Sequence, residues 1–222
     1  VLDSLSGNVT VNNSVTAVGG GNIVLQTSGT TNALTVNSAV NAGTGNISLI
    51  ASGAASFNAS GDVTTTGTGT LDVSASSIVM SDATVFSTSN RAIRLASGSN
   101  ITLGAINAGT GVASLNADGS IVDAGNGSNT AVNVTAAALK LTGSGIGAAS
   151  DAIETAVGTI SADATSAGVF LTQTAGNLIV GSIADVAVKR VLADGSMSGT
   201  NVNDTTVSGL RAQTNGAVVL NS

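Results

Sequence analysis

Lys189 and Arg190, with Asp185 and Asp194 nearby, form the densest charge cluster of the chain. Asp beside Lys or Arg is the set a polysaccharide-cleaving site draws on. Such a site gathers several carboxylates on one face, and here they are sparse, so the cluster reads as a solvated face. Asp118, Asp123, Asn126 and Ser128 offer hard oxygen ligands of the kind calcium takes. The Gly-Gly-x-Gly-x-Asp array of calcium-loaded rolls is absent, however, because Gly19-Gly20-Gly21 lacks the Asp; these residues read as Asx turns. Thr64, Thr66, Thr68 and Thr70 alternate as an ice-matching row would, but neighbouring segments do not repeat the row. Asn8, Asn12, Asn46, Asn58, Asn100, Asn126, Asn133 and Asn203 each open an Asn-x-Ser/Thr glycan-acceptor triplet, in a chain rich enough in these residues to produce several by chance. Gly143-Ser144-Gly145-Ile146-Gly147 lacks the Lys or acidic partner of a phosphate loop and reads as a corner. No catalytic, cofactor-binding or metal-ligating residue is expected, and the chain is not expected to be an enzyme.

Composition narrows the chemistry further. The 222 residues include no Cys, His, Trp, Tyr or Pro. That removes disulfides, thiolate and imidazole metal sites, Cys nucleophiles and Ser–His relays. With three Phe as the only aromatic residues, there is no stacking platform for sugars or bases. A net charge of −6 with only six Lys and Arg argues against nucleic acid and anionic membranes as partners. Hydrophobic types at 42% against 8% charged residues do not fit disorder, and no apolar run approaches the roughly 20 residues of a spanning helix. Val1-Leu2-Asp3 lacks an initiator Met and a basic n-region, so the chain reads as a processed or excised piece forming a single domain over residues 1–222.

The organisation lies in repeats. Gly21-Asn22-Ile23-Val24-Leu25, Gly45-Asn46-Ile47-Ser48-Leu49 and Gly69-Thr70-Leu71-Asp72-Val73 follow one another at 24-residue intervals. Ala42 to Leu49 returns as Ala108 to Leu115, an offset of 66, or three units of 22. Apolar residues alternate with polar ones at Val9/Val11, Ile23/Leu25, Leu34/Val36, Ile47/Leu49, Leu71/Val73, Ile93/Leu95, Ile101/Leu103, Val132/Val134, Leu139/Leu141 and Val218/Leu220. This period of two belongs to strands with one buried face, and the Gly, Asn and Asp-Gly between them supply corners. Absence of Pro suits a stack in which every N–H bonds the coil below. A right-handed parallel β-solenoid of about ten coils of roughly 20–24 residues is the predicted fold. Asp151-Ala152-Ile153-Glu154 resembles a capping box, but Ile153/Thr155/Val157 and then Ile160/Ala162, broken at Gly158, read better as strands. Phe57, Phe86 and Phe170 are expected as core plugs.

The stretch from Asn129 to Val191 carries a family resemblance. It holds, in order, Ala131-Val132-Asn133-Val134-Thr135-Ala136-Ala137-Ala138-Leu139-Lys140-Leu141, Gly145-Ile146-Gly147, Ala152 to Ala162, Gly168-Val169-Phe170-Leu171-Thr172, Val180-Gly181-Ser182-Ile183 and Val188-Lys189-Arg190-Val191. This resembles a module repeated in giant bacterial β-strand-repeat surface proteins, of the filamentous haemagglutinin-like exoprotein and large-adhesin type. The resemblance implies export to the bacterial cell surface, a structural or adhesive role, and no catalytic residues. Ala217 to Ser222 reads as a complete rung that Val1 to Val11 could follow, so the expected partners are copies of the chain stacked end to end, or neighbouring repeats. Polysaccharide binding or processing and an ice- or surface-binding face are the alternative functions.

Overall fold

In the computed structural model the described residues are 1–125, 131–199 and 202–222, with Asn203 described by its backbone. They form a parallel β-solenoid with three faces. Period-two alternation makes each strand two-sided, and the Gly- and Asn-bearing segments between strands turn the chain onto the next face. The first face is the longest. From Leu2 its rungs pass through Leu25, Leu49, Val73, Leu95, Leu115, Leu141 and Ala162 to Leu210, each bonded in parallel to the next. That is eight steps, against about ten expected. Seven steps take 20 to 26 residues and the last takes 48, because residues 182–208 leave the winding. The 66-residue offset between Ala42–Leu49 and Ala108–Leu115 is three coils, of 24, 22 and 20 residues, linking Ile47, Leu71, Ile93 and Ala113.

The second face stacks Val9, Leu34, Ala55, Ile78, Ile101 and Ile121, then Ile146 and Val169 through isolated bridges. The third stacks Val40, Val63, Phe86, Ile106, Val134 and Thr155. In the last two of these coils the corner between third and first face has no left-handed glycine and keeps only Gly158. There Val134–Gly143 and Ile153–Ala164 each run round it as one strand, so the break expected at Gly158 does not occur. The segment after Asp151 is strand from Ile153, as the alternation of Ile153, Thr155 and Val157 predicts, and not helix.

Inward side chains of the three faces make one apolar column of stacked Val, Ile, Leu and Ala. At about 25 cal/mol per Å² of buried apolar surface, every coil adds a similar increment. Phe57 and Phe86 meet across the interior edge to face, with ring centroids 4.7 Å apart. Phe170 is not a plug. Val169 and Leu171 take the inward positions, so alternation turns Phe170 out, where its ring lies over Gly168. Val132 is likewise not in the core. The strand starts at Val134, and Asn133 is the buried residue beside it.

Three of the early corners carry two glycines with different causes, while Asn90, at φ 63°, takes the left-handed position in the corner before Ile93. Gly43, Gly67 and Gly109 sit at φ of 53°, 59° and 56°, left-handed values that favour glycine. Gly45, Gly69 and Gly111 are needed for proximity instead: a Cβ on Gly45 would lie 2.0 Å from the carbonyl oxygen of Gly21 one coil below.

Candidate functional site

On each first-face strand one side chain points outward between the two inward ones. In register these are Val24, Ser48, Asp72, Arg94, Ser114, Lys140 and Ser161. Period-two alternation alone would leave this row in solvent, yet all seven are buried. The cover is the excursion from the last coil. The described residues within 182–208 form an antiparallel hairpin, Ser182–Ile183 on Val207–Ser208 and Ala187–Val188 on Val202–Asn203, closed by a bridge between Val191 and Met197. This arm lies along the rod axis and crosses the first-face strands. Its base is level with Ser161, where Gly181 and Ala162 bond across to Ile160 and Gly209. Its tip reaches the first coil, with Gly195 beside Val1.

Polar contacts set the register of arm on track. Asp72 accepts from Arg94 Nη1 at 3.0 Å through one oxygen and from Arg190 Nε at 2.6 Å through the other. Arg94 Nε donates to Asp204 at 2.7 Å. Ser114 donates to the second oxygen of Asp204, Lys140 Nζ to the Thr205 carbonyl at 2.8 Å, and the Val191 amide to Ser48 Oγ at 2.8 Å. Arg190, Asp72, Arg94 and Asp204 thus alternate in sign along the seam, with Lys140 as a third cation beyond them. Such a buried set is modest in net stability but demanding in geometry. Ile183, Val186, Val188 and Val191 on the arm are buried together with Val24, outside the main core, as a second thin apolar layer. Burial lowers the Lys140 pKa below 10.5 despite the opposing pull of Asp204 and Asp185.

The structure therefore divides the charge cluster seen in sequence. Arg190 turns down onto Asp72, Lys189 stays exposed, and Asp194 caps the tip turn by accepting from the Ser196 amide and hydroxyl. Those two bonds hold the Asp194 carboxyl below its usual range. The candidate calcium residues also separate. Asp118 is exposed at one end of Ile121–Asp123, whereas Asp123 is buried at the other; Asn126 and Ser128 lie outside the described residues. Asp123 accepts from Asn133 Nδ2 at 2.7 Å, and Asn133 accepts from the Glu154 amide at 2.9 Å. One oxygen each of Asp123 and Glu154 is buried without a partner. Burial, then the Asp123 charge, raises the pKa of both Glu154 and Asp151, and Asp151 adds a smaller push on Glu154. Among the described residues no three His, Cys, Asp or Glu are grouped as a metal site.

Thr64, Thr66, Thr68 and Thr70 do not form a flat row, because the chain turns a corner at Gly67; Thr64 bonds Ser87 and Thr70 bonds Asn46. Several triplet asparagines serve coil-to-coil ladders: Asn12 with Asn37 and Asn58, and Asn46 with Asn22 and Thr70. Asn133 is buried. Beside the arm's base an open cleft of about 320 Å³ is lined by Thr142, Asp163, Thr205, Thr206, Ser208 and Arg211, with Val207.

Sequence reasoning missed the arm and its track. The available signal was that Asp72, Arg94 and Lys140 fall at the same strand position of three coils, while residues 182–208 break the Gly-x-Ile-x-Leu rhythm. Among the described residues no helix is long and apolar enough to cross a membrane. No family model, curated protein or solved structure matches this chain.

Proposed function

We propose that this chain is a shaft segment of a bacterial extracellular surface protein or fibre, a stiff rod without a catalytic site that spaces an adhesive element from the cell. The observation that carries this reading is the unbroken stack: eight first-face steps in parallel register around a continuous aliphatic interior. Ladders of this kind resist extension along the rod, because each coil is bonded to its neighbours over three faces. The resemblance to giant β-strand-repeat surface proteins supplies the extracellular setting. Surface chemistry supports further coils, of a second copy or of neighbouring repeats, as the partners. Among the described residues, most exposed large hydrophobics lie on the two end coils, with Val1, Leu2, Leu5 and Val18 on one and Ile179, Val180, Val218 and Val219 on the other; the exceptions are Val79 on a flank and Leu192 on the arm. A covalent continuation needs more chain than the sequence suggested: Val218–Asn221 runs from the second face only onto the start of the third, and Leu2–Ser4 lies on the first, so the rest of the third must intervene.

Sedimentation and electron microscopy over a range of concentrations test this. Rods lengthening in whole-unit steps, or the segment embedded in a longer native rod, are expected. Compact single particles at every concentration and in the native source would overturn it. One observation favours a second reading, polysaccharide contact: the hydroxyl-lined cleft with Asp163 and Arg211 suits a polyhydroxylated ligand. Glycan-array binding lost on Arg211→Ala would support it, and an array with no binding would remove it.

A further inference from the structure

We infer that the arm of one copy docks on the track of a second, so that the Asp72/Arg94/Lys140 face is an exchange interface between two molecules of this chain. The arm is separable. Among the described residues no backbone bond or strand ladder joins residues 182–208 to the coils; all polar attachment runs through side chains. Both roots lie side by side at glycines, with Gly209 at φ 72° donating to the Gly181 carbonyl at 2.7 Å, so the hairpin can swing out without losing its own pairing.

Closure is also imperfectly satisfied. Arg190 Nη2 and Ser161 Oγ are buried without partners, and Lys140 is desolvated against one carbonyl. Each reduces what docking gains. Opening bares Asp72, Arg94, Lys140, Ser48 and Val24 on the track. On the arm it bares Arg190, Asp204 and the Ile183, Val186, Val188 and Val191 stripe. The partner whose charges alternate in sign and spacing to match the track is the arm of another copy. Two opened molecules can therefore satisfy each other reciprocally through contacts already present within one.

Complementary charge reversal tests the exchange. Arg94→Asp disrupts the track and Asp204→Arg disrupts the arm, so neither variant closes on itself. Mixed one to one, the two can form both matched seams only by exchange. A particle of twice the monomer mass is expected in the mixture and in neither variant alone. A mixture that stays monomeric, while the one-chain double variant Arg94→Asp/Asp204→Arg protects its arm amides like the native protein, would overturn the proposal. Should either single variant not fold, the native sequence allows a second measurement. The chain has no Cys, so exposed Asp194→Cys at the tip and exposed Leu5→Cys on the first coil can be labelled on separate copies. After mild warming, energy transfer between copies should approach that of a single doubly labelled chain. Transfer no greater than expected for probes a full rod length apart, the separation set by end-to-end contact, overturns it.

Discussion

Gly43 and Gly45 stand two positions apart and meet different physical needs, one a left-handed backbone and the other a close carbonyl. Gly45→Ala should therefore force the corner of one coil away from the coil below, at a cost of about 1–3 kcal/mol, the range for overpacking. A urea midpoint unchanged from that of the native protein would contradict this. Glu154 raises a different residue-scale question, because its partnerless oxygen and raised pKa disfavour the charged form in the fold. The associated stability is complete below the ordinary carboxyl value of 4.5 and is lost as pH rises through the raised native value. Glu154→Gln, neutral throughout, should match the native protein in acid and melt at higher temperature near neutrality. A melting-temperature gap that does not vary with pH would refute the assignment. Sequence could suggest Asp123 as a polar corner residue, but its partner Asn133 opens the next face of the same coil, ten residues further along the chain.

The strands were legible because alternation is local: Ile47 and Leu49 announce a buried face whatever lies elsewhere, and both are fully buried. Recurrence every 22 to 24 residues then stated how such strands stack. The arm was not legible, for the corresponding reason. Val186 and Val188 alternate like any rung, and what lifts them off the winding is charge pairing with residues far away in sequence, Arg190 with Asp72 and Asp204 with Arg94. Because residues 182–208 leave the winding, the chain holds fewer turns than its length divided by the repeat. Asp72 is the arm's principal anchor, since it bonds two arginines, one through each oxygen. Asp72→Ala should cost on the order of 3–5 kcal/mol of arm docking, the penalty for orphaning a buried charge. Hydrogen exchange should show arm amides losing protection while the coil ladders keep theirs; uniform loss across the chain would mean that the arm does not dock as a separate unit.

At the scale of the whole molecule, eight steps of about 4.8 Å give a rod roughly 38 Å long, with stability spread over repeating interfaces. A lesion in one coil should therefore stay local, except where the arm carries it. Ile47→Asp places a charge in the third coil, beside the Ser48 that bonds the arm at Val191. Protection should be lost in the coils around it and at the arm tip, while Leu139–Leu141 keeps its protection; cooperative unfolding of every coil would argue against a modular rod. The arm also measures the solenoid against a fixed length. Ordinary solenoids grow or shrink by whole turns at little cost, but inserting or deleting one between Ser48 and Lys140 would slide the anchor points by a strand spacing and mismatch Arg190 or Asp204. In this stretch the number of turns is set by a ruler, and lengthening by duplication is confined to coils outside the arm's span.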